Sequence, residues 1–421
     1  MADEQVEREQ RTPSGSRVRR GLLVIGPGLA IAAAGVGAGD MVSSLTLGAT
    51  YGLTLAWAVI IGALVKFAGT ESIGRWYLAT GKTPLRGFDS ISRWVTGYFG
   101  AYSILIGFFY GAAIASATGL AVHALIPAIS VRLGAVLGIV AGLAILWIGR
   151  YGVFQKVMSF FVAVMFVSIV GAAIITRPDL DVLTAGFKPT IPDGGLLYVL
   201  GVMGGVGMSI GLLSYGYWLR DRGWTGPSWV STMRLDLVIG YVMTFVFMLS
   251  MMIVGAEFLQ GSERSIEDEE GLLALADPFA AQFGELAKWL LLIGFFSAVF
   301  SSLVGGFNAL AYVFSDIVNI FRGKEQERDD QAERTWPFRG YLLWMSFPPL
   351  LMLLFDQPIL LVLIYAALGA LFMPAMVAGL LWLMNSKRVP KGFRNGFVVN
   401  AILGLSLLMY VVLGVHELLN L

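Results

Sequence analysis

Apolar runs long enough to cross a bilayer recur eleven times along this chain. They lie at about 21–47, 53–78, 96–124, 130–149, 153–176, 194–219, 231–256, 280–318, 338–355, 358–384 and 394–418. A transmembrane helix needs about 20 mostly apolar residues, and a backbone in hydrocarbon must satisfy its own hydrogen bonds. Only 14% of the residues are charged, against about 25% in soluble domains. The expected class is therefore an all-α polytopic membrane protein, embedded in a lipid bilayer. A net charge of +1 gives no sign of a nucleic-acid partner. Without cysteine there is no disulfide and no thiolate metal site. Residues 1–20 are polar, and too acidic for a signal peptide. They are expected to form a disordered cytosolic tail ahead of one transporter domain over 21–421.

Lys and Arg orient the spans. With the N-terminus inside, the inner segments hold 22 of the 29 basic residues and the outer segments hold four: Arg132, Arg177, Lys188 and Arg264. Such alternation follows the tendency of basic loops to stay cytoplasmic. It predicts a multi-pass protein of a plasma (inner) membrane, N-terminus inside and C-terminus outside.

Two spans are weak at their centres. Span one contains Gly35-Val36-Gly37-Ala38-Gly39-Asp40-Met41, and span six contains five glycines between Gly201 and Gly211. Glycine loosens a helix, and a carboxylate at mid-membrane costs roughly 3 kcal/mol or more. The two spans lie five apart and run in opposite directions. That is the pattern of a 5+5 inverted repeat with helices 1 and 6 broken around a central site. The repeats would cover about 21–176 and 194–384, with an extra helix at about 394–418. Asp40, Gly37, Gly39, Gly205, Met208 and Ser209 are the candidate substrate-binding residues, and Asp40, Met208 and Ser209 the candidate metal ligands. The competing readings are close packing by the glycines and a helix cap by Asp40.

Other charges enter the spans. Glu71 and Arg75 are spaced i,i+4 and suit a structural ion pair. Lys66 lies deeper, with Asp40 or Glu71 as possible partners across helices. Asp236 near the start of span seven suggests a structural role with Arg234 or Arg222. His123 and His416 fall near outer ends. Span three carries no Asp, Glu, Lys or Arg from Val95 to Ala124.

The chain resembles the natural resistance-associated macrophage protein (Nramp) family of divalent-metal transporters. The likeness runs from Gly26-Pro27-Gly28 through Gly48-Ala49, Tyr51-Gly52, Trp57 and Arg75 to Thr80-Gly81-Lys82. It returns at Gly119-Leu120-Ala121 and at Ser301-Ser302 with Gly305. It implies the LeuT-type fold and a metal ion as substrate, with no cofactor. The family's first-span motif Asp-Pro-Gly-Asn reads Gly37-Ala38-Gly39-Asp40 here, so the ligand Asp is replaced and an acid stands at the Asn position. The sixth-span Met-Pro-His-Asn reads Met208-Ser209-Ile210-Gly211. Two acids of the family's third span fall on Ile106 and Ala113.

Asp40, a Met208 thioether, the Ser209 hydroxyl and carbonyls near Gly37 and Gly205 could ligate a divalent ion. One carboxylate leaves a 2+ ion undercompensated, so such an ion would keep waters or recruit Glu71. Three functions stay open. The first is a divalent-metal transporter of Mn, Mg or Fe type, with weak or absent proton coupling. The second is the same scaffold carrying another small solute, such as an anion met by Lys66. The third is a non-transporting sensor, against which the longest inner loop, Gly323 to Trp336, is short. No nucleophile triad or phosphate loop supports an enzyme. Oligomeric state is left open, a monomer being sufficient for the site.

Overall fold

The computed structural model describes residues 27–36, 38–148, 151–193, 195, 198–199, 210–260, 275–324, 332–354 and 358–419. Every regular element among them is helical. Span one is split into α1 (Pro27–Gly35) and α2 (Ala38–Tyr51). Spans two to five follow as α3 (Ala56–Thr80), a short α4 (Pro84–Asp89), α5 (Arg93–Leu125), α6 (Val131–Trp147) and α7 (Tyr151–Ile175). A short α8 (Leu180–Ala185) precedes span six. The described part of that span is a 3-10 turn (Ile210–Ser214) leading into α9 (Tyr215–Asp221). Span seven is α10 (Val230–Leu259).

The start of span eight differs from the reading of the sequence. The sequence suggests one long helix with an amphipathic start from Asp277 to Lys288, but this start belongs largely to a separate helix, α11 (Ala276–Phe283), turned off from α12 (Glu285–Phe321) at Gly284 with φ +88°. That conformation suits glycine, which has no Cβ to clash. Span nine also divides: α13 (Trp336–Ser346) gives way to a 3-10 stretch at Pro348-Pro349, where the missing amide protons end the α-helix. Spans ten and eleven are α14 (Pro358–Asn385) and α15 (Phe397–Leu419). The tail at 1–20 lies outside the described residues.

Large apolar side chains remain on the outside of the bundle. Val167 and Ile174 on α7 and Leu405 and Leu408 on α15 are exposed, as lipid-facing residues would be. α3 and α12, by contrast, are buried on nearly every face. A helix that is apolar all round belongs in the interior.

Backbone-to-backbone packing holds span one against span seven. A Cβ on Gly28 or Gly240 would be driven into the other helix's main chain at Asp236 or Gly28. Gly48 and Gly255 stand the same way against Met252 and Leu45. In an apolar solvent no hydrophobic force presses helices together, so close approach through small residues supplies the attraction. Both halves of the broken helix therefore rest on one continuous helix, α10. Glycine packing and a broken helix, weighed as rival readings of span one, occur together.

Polar side chains fasten the ends where Lys and Arg accumulate. Arg75 binds Glu71 at 2.8 Å, and it also reaches the carbonyls of Phe393 and Arg394 and the amide oxygen of Asn395. Arg234 binds the other Glu71 oxygen at 2.9 Å. Asp236 was expected to have a structural role, with Arg234 or Arg222 as partner, and it has a structural role with further partners. Its carboxylate accepts from the Gly28 amide at 2.6 Å and from the Tyr215 hydroxyl at 3.0 Å. Arg222 binds Gln155. Asp236 thus caps the first free amide of α1 from another span. Asp316 on α12, not singled out from the sequence, gathers Thr83, Tyr217 and Arg86.

Two predictions follow from this packing. Gly48→Ala should destabilise the detergent-solubilised protein by about 1–3 kcal/mol through overpacking. Gly69→Ala, where a Cβ meets nothing within 4 Å, should be neutral or up to about 1 kcal/mol more stable. Equal thermal shifts for the two would discount the packing argument. Glu71→Gln leaves Arg75 uncompensated while only 5% exposed, and should cost about 3 kcal/mol or more. Arg234→Gln, at a side chain 53% exposed, should cost less than about 1 kcal/mol. Denaturant midpoints of the two variants check the order.

Candidate functional site

The break in span one is where chain chemistry and position coincide. α1 keeps its last hydrogen bond from the Val36 amide to the Ala32 carbonyl at 2.9 Å, and α2 begins two residues later at Ala38. The final carbonyls of α1 carry the partial negative charge of a helix C-terminus. The first amides of α2 carry the opposite charge, and Asp40 lies in that first turn. A carboxylate there offsets the positive end, so the negative end of α1 and the side chain together favour a cation. Asp40 is 8% exposed.

Other spans also carry buried polar groups. Lys66 of α3 is 1% exposed. Tyr110 of α5 is within electrostatic reach of Asp40. The Tyr110 hydroxyl donates to the Ser302 carbonyl of α12 at 2.7 Å and lies 3.2 Å from the Ser302 hydroxyl. Room for that ring comes from Gly306, where a Cβ would collide with the hydroxyl. One turn beyond Lys66, Thr70 donates to the Lys66 carbonyl or pairs with Tyr241 of α10 at 2.7 Å. One turn beyond Asp40, the buried Ser44 hydroxyl has no hydrogen-bond partner among the described residues.

Of the residues selected from the sequence, Asp40 and Lys66 are both buried, and Glu71 and Arg75 are bound to each other. Both Glu71 oxygens are held, one by Arg75 and the other by Arg234. Recruiting Glu71 to an ion would break that cluster. Gly39 lies in the first turn of α2. Gly37, Gly205, Met208 and Ser209 lie outside the described residues, so the second break and its proposed ligands are not part of this geometry. Ile106 and Ala113 are buried. No group of three or more His, Cys, Asp or Glu side chains gathers among the described residues.

Tyr110, Ser44 and Ser302 were missed. Tyr110 lies one turn from both Ile106 and Ala113, so a search for any polar group on that stripe of span three, rather than for acids, would have found it. Ser44 follows Asp40 by four residues on the same helix face and was open to the same argument.

A separate cavity of about 720 Å³ opens at the end of the bundle where basic residues accumulate. Tyr151, Gln155, Lys156, Asp221, Arg222 and Glu333 are among its walls. None of the residues around Asp40 lines it. Its mixed charges lie at the ends of α7 and α9 and in the turn after α12, which is the position of a vestibule and not of the buried centre.

A crystal structure of a manganese transporter of Eremococcus coleocola superposes with a TM-score of 0.80 at 17% identity, over 97% of this chain and 88% of that one. A Na+-coupled sialic acid symporter superposes with a TM-score of 0.56 at 14% identity, over 93% and 89%. An uncharacterised protein of Pasteurella multocida is 22% identical over 320 residues, 72% of each chain. These likenesses place the chain in the LeuT-type fold. The profile of the Natural resistance-associated macrophage protein-like family matches residues 28–420. With nearly the whole length matched, from the first turn of α1 to the end of α15, the chain belongs to the Natural resistance-associated macrophage protein-like family, whose members are transporters and not enzymes.

Proposed function

We propose that this protein is a secondary transporter that moves divalent metal ions of Mn, Mg or Fe type by alternating access, with Asp40 as the carboxylate that meets the ion. The observation that carries the reading is the burial of Asp40 in the first turn of α2, directly after an interruption of the helix. A carboxylate in that place is costly unless a cation or a partner compensates it. Oxygen donors suit Mg²⁺ and Mn²⁺. Those at hand are the Asp40 carboxylate, the final carbonyls of α1 and the Ser44 hydroxyl. Met208, Ser209 and the backbone near Gly205 would complete the set from span six. Waters retained by the ion would fill the remainder, since Glu71 is held by two arginines. The relative described as a manganese transporter supports the choice of ion class.

The division into two repeats at about 21–176 and 194–384, with α15 as an addition, belongs to this reading, as does the N-inside, C-outside orientation. In this scheme the basic end of the bundle faces the cytoplasm, and the 720 Å³ cavity there is the inner vestibule.

One observation favours a second reading. Lys66 is 1% exposed, and a buried ammonium would suit a solute carrying an anionic group. Proteoliposome uptake screened over Mn²⁺, Mg²⁺, Fe²⁺, small anions and amino acids decides between them.

Asp40→Asn keeps the size and hydrogen-bonding capacity of the side chain in the first turn of α2 but removes the charge. Metal affinity should fall more than about tenfold, or roughly 1.4 kcal/mol, with thermal stability retained. Unchanged metal affinity in a folded Asp40→Asn protein, measured by calorimetry, would end the metal reading. An anion carrier would instead bind its solute as well or better. Proton coupling gives a further test. Ile106 and Ala113 leave span three without a carboxylate, so metal uptake should carry little proton inward. A pH dye inside the liposomes should stay nearly constant, and stoichiometric acidification would count against the proposal.

A further inference from the structure

We infer that the basic corner where the turn between α14 and α15 meets the start of α5 is a docking site for the headgroup of an anionic phospholipid. Such a site would serve the carrier whatever its solute.

The turn at 385–396 carries Lys387, Arg388, Lys391 and Arg394 and no acidic residue. Lys387, Arg388 and Lys391 are exposed, as is Arg93 at the start of α5. None of these exposed cations forms an ion pair among the described residues. The acid next in sequence, Asp89, accepts from the Thr96 hydroxyl at 2.9 Å. Arg388 joins the two elements. Its guanidinium donates to the Ser90 carbonyl at 2.8 Å, three residues before Arg93, and lies 4.8 Å from the centroid of the Trp382 ring. A guanidinium has five N–H donors in a planar fork, and one carbonyl and one ring face occupy only part of it. A fork held in place this way suits the oxygens of a phosphate.

Apolar surface fixes the depth. Trp382 precedes the turn, Phe397 follows it, and Trp94 is the second residue of α5. Phe397 is 87% exposed and Trp94 88%. Tryptophan at the end of a span belongs at the level of the headgroups. Val398, Leu405 and Leu408 continue the exposed apolar surface along α15. A soluble anion would meet the cations and leave the rings uncovered. A phospholipid covers both, with its phosphate on the cations and its glycerol and acyl chains against the rings. In the orientation proposed above the site lies in the cytoplasmic leaflet, where anionic lipid attracts Lys and Arg beside a span.

Occupancy of this corner reaches the frame. Arg75 of α3 holds the same turn through the carbonyls of Phe393 and Arg394 and the amide oxygen of Asn395. A headgroup that bridges the turn and α5 therefore tightens contacts already tying α14, α15 and α3 together. Arg388 also faces the end of α4, whose C-cap is Ser90, so substituting it mixes two roles. Arg93, Lys387 and Lys391 make no side-chain hydrogen bond or ion pair among the described residues, and they carry the test.

The full-length protein in neutral detergent is titrated with phosphatidylglycerol or phosphatidylcholine. Bound lipid is counted by native mass spectrometry, and the melting temperature is followed in parallel. Phosphatidylglycerol should bind at least about tenfold more tightly than phosphatidylcholine and raise the melting temperature. Arg93→Gln, Lys387→Gln and Lys391→Gln combined should melt like wild type without lipid and weaken phosphatidylglycerol binding by about tenfold or more. Arg177→Gln with Lys188→Gln, at two cations of the outer segments, should leave that binding unchanged. Glycerol phosphate, which has the headgroup chemistry without acyl chains, should not raise the melting temperature. Equal binding of the two lipids, or a triple variant that binds phosphatidylglycerol like wild type, would overturn the inference. An equal loss in the Arg177 and Lys188 variant would do so too, as unspecific attraction, and so would an equal thermal shift from glycerol phosphate, as a site for soluble anions. If the triple variant does not fold, Lys387→Gln with Lys391→Gln carries the same expectation, with a loss of about fivefold or more.

Discussion

Asp40 beside the interrupted helix is the constraint to which the surrounding structure answers. A carboxylate and a set of unpaired backbone groups at bilayer depth are each costly, and placing them together lets one arrangement compensate both. The helix ends at the break carry opposite partial charges. Asp40 stands at the positive end, within the first turn of α2. Lys66 on α3 is buried as well, and Tyr110 of α5 and Ser302 of α12 are joined by a hydrogen bond.

A broken helix needs a splint, and α10 is one. Gly28 and Gly240 meet below the break, and Gly48 and Gly255 pack against α10 main chain or α2 main chain above it. Asp236 adds a carboxylate at the Gly28 amide, the weakest point of α1. The ion cluster of Glu71, Arg75 and Arg234 ties α3 to α10 and to the turn before α15. These contacts hold α1 and α2 in register although little intrahelical bonding joins them. They also separate structural charge from site charge. Glu71 and Asp236 are engaged in the frame, while Asp40 is buried at the break.

The family relationship and the site pull in different directions. Layout follows the family over residues 28–420, while Gly37-Ala38-Gly39-Asp40 departs from the first-span motif and span three offers Tyr110 in place of acids. A fold can keep its frame while the residues at its centre change, because frame contacts are glycine packing and peripheral ion pairs that do not touch the substrate.

The spans, the break in span one and the Glu71–Arg75 pairing were legible in the sequence because each depends on short-range order. Run length sets a span, glycine clustering weakens a helix, and i,i+4 spacing places two side chains on one face. The same local rules missed the corner at Gly284, where a single positive φ separates α11 from α12. They also gave no sign that Asp236 accepts from the Gly28 amide, 208 residues away, and from the Tyr215 hydroxyl. Which amide Asp236 caps, which hydroxyl meets Ser302 and which further arginine joins Glu71 were decided only by tertiary structure. Those choices depend on how separate helices approach, and the distances between side chains on different spans are set by packing and not by spacing along the chain.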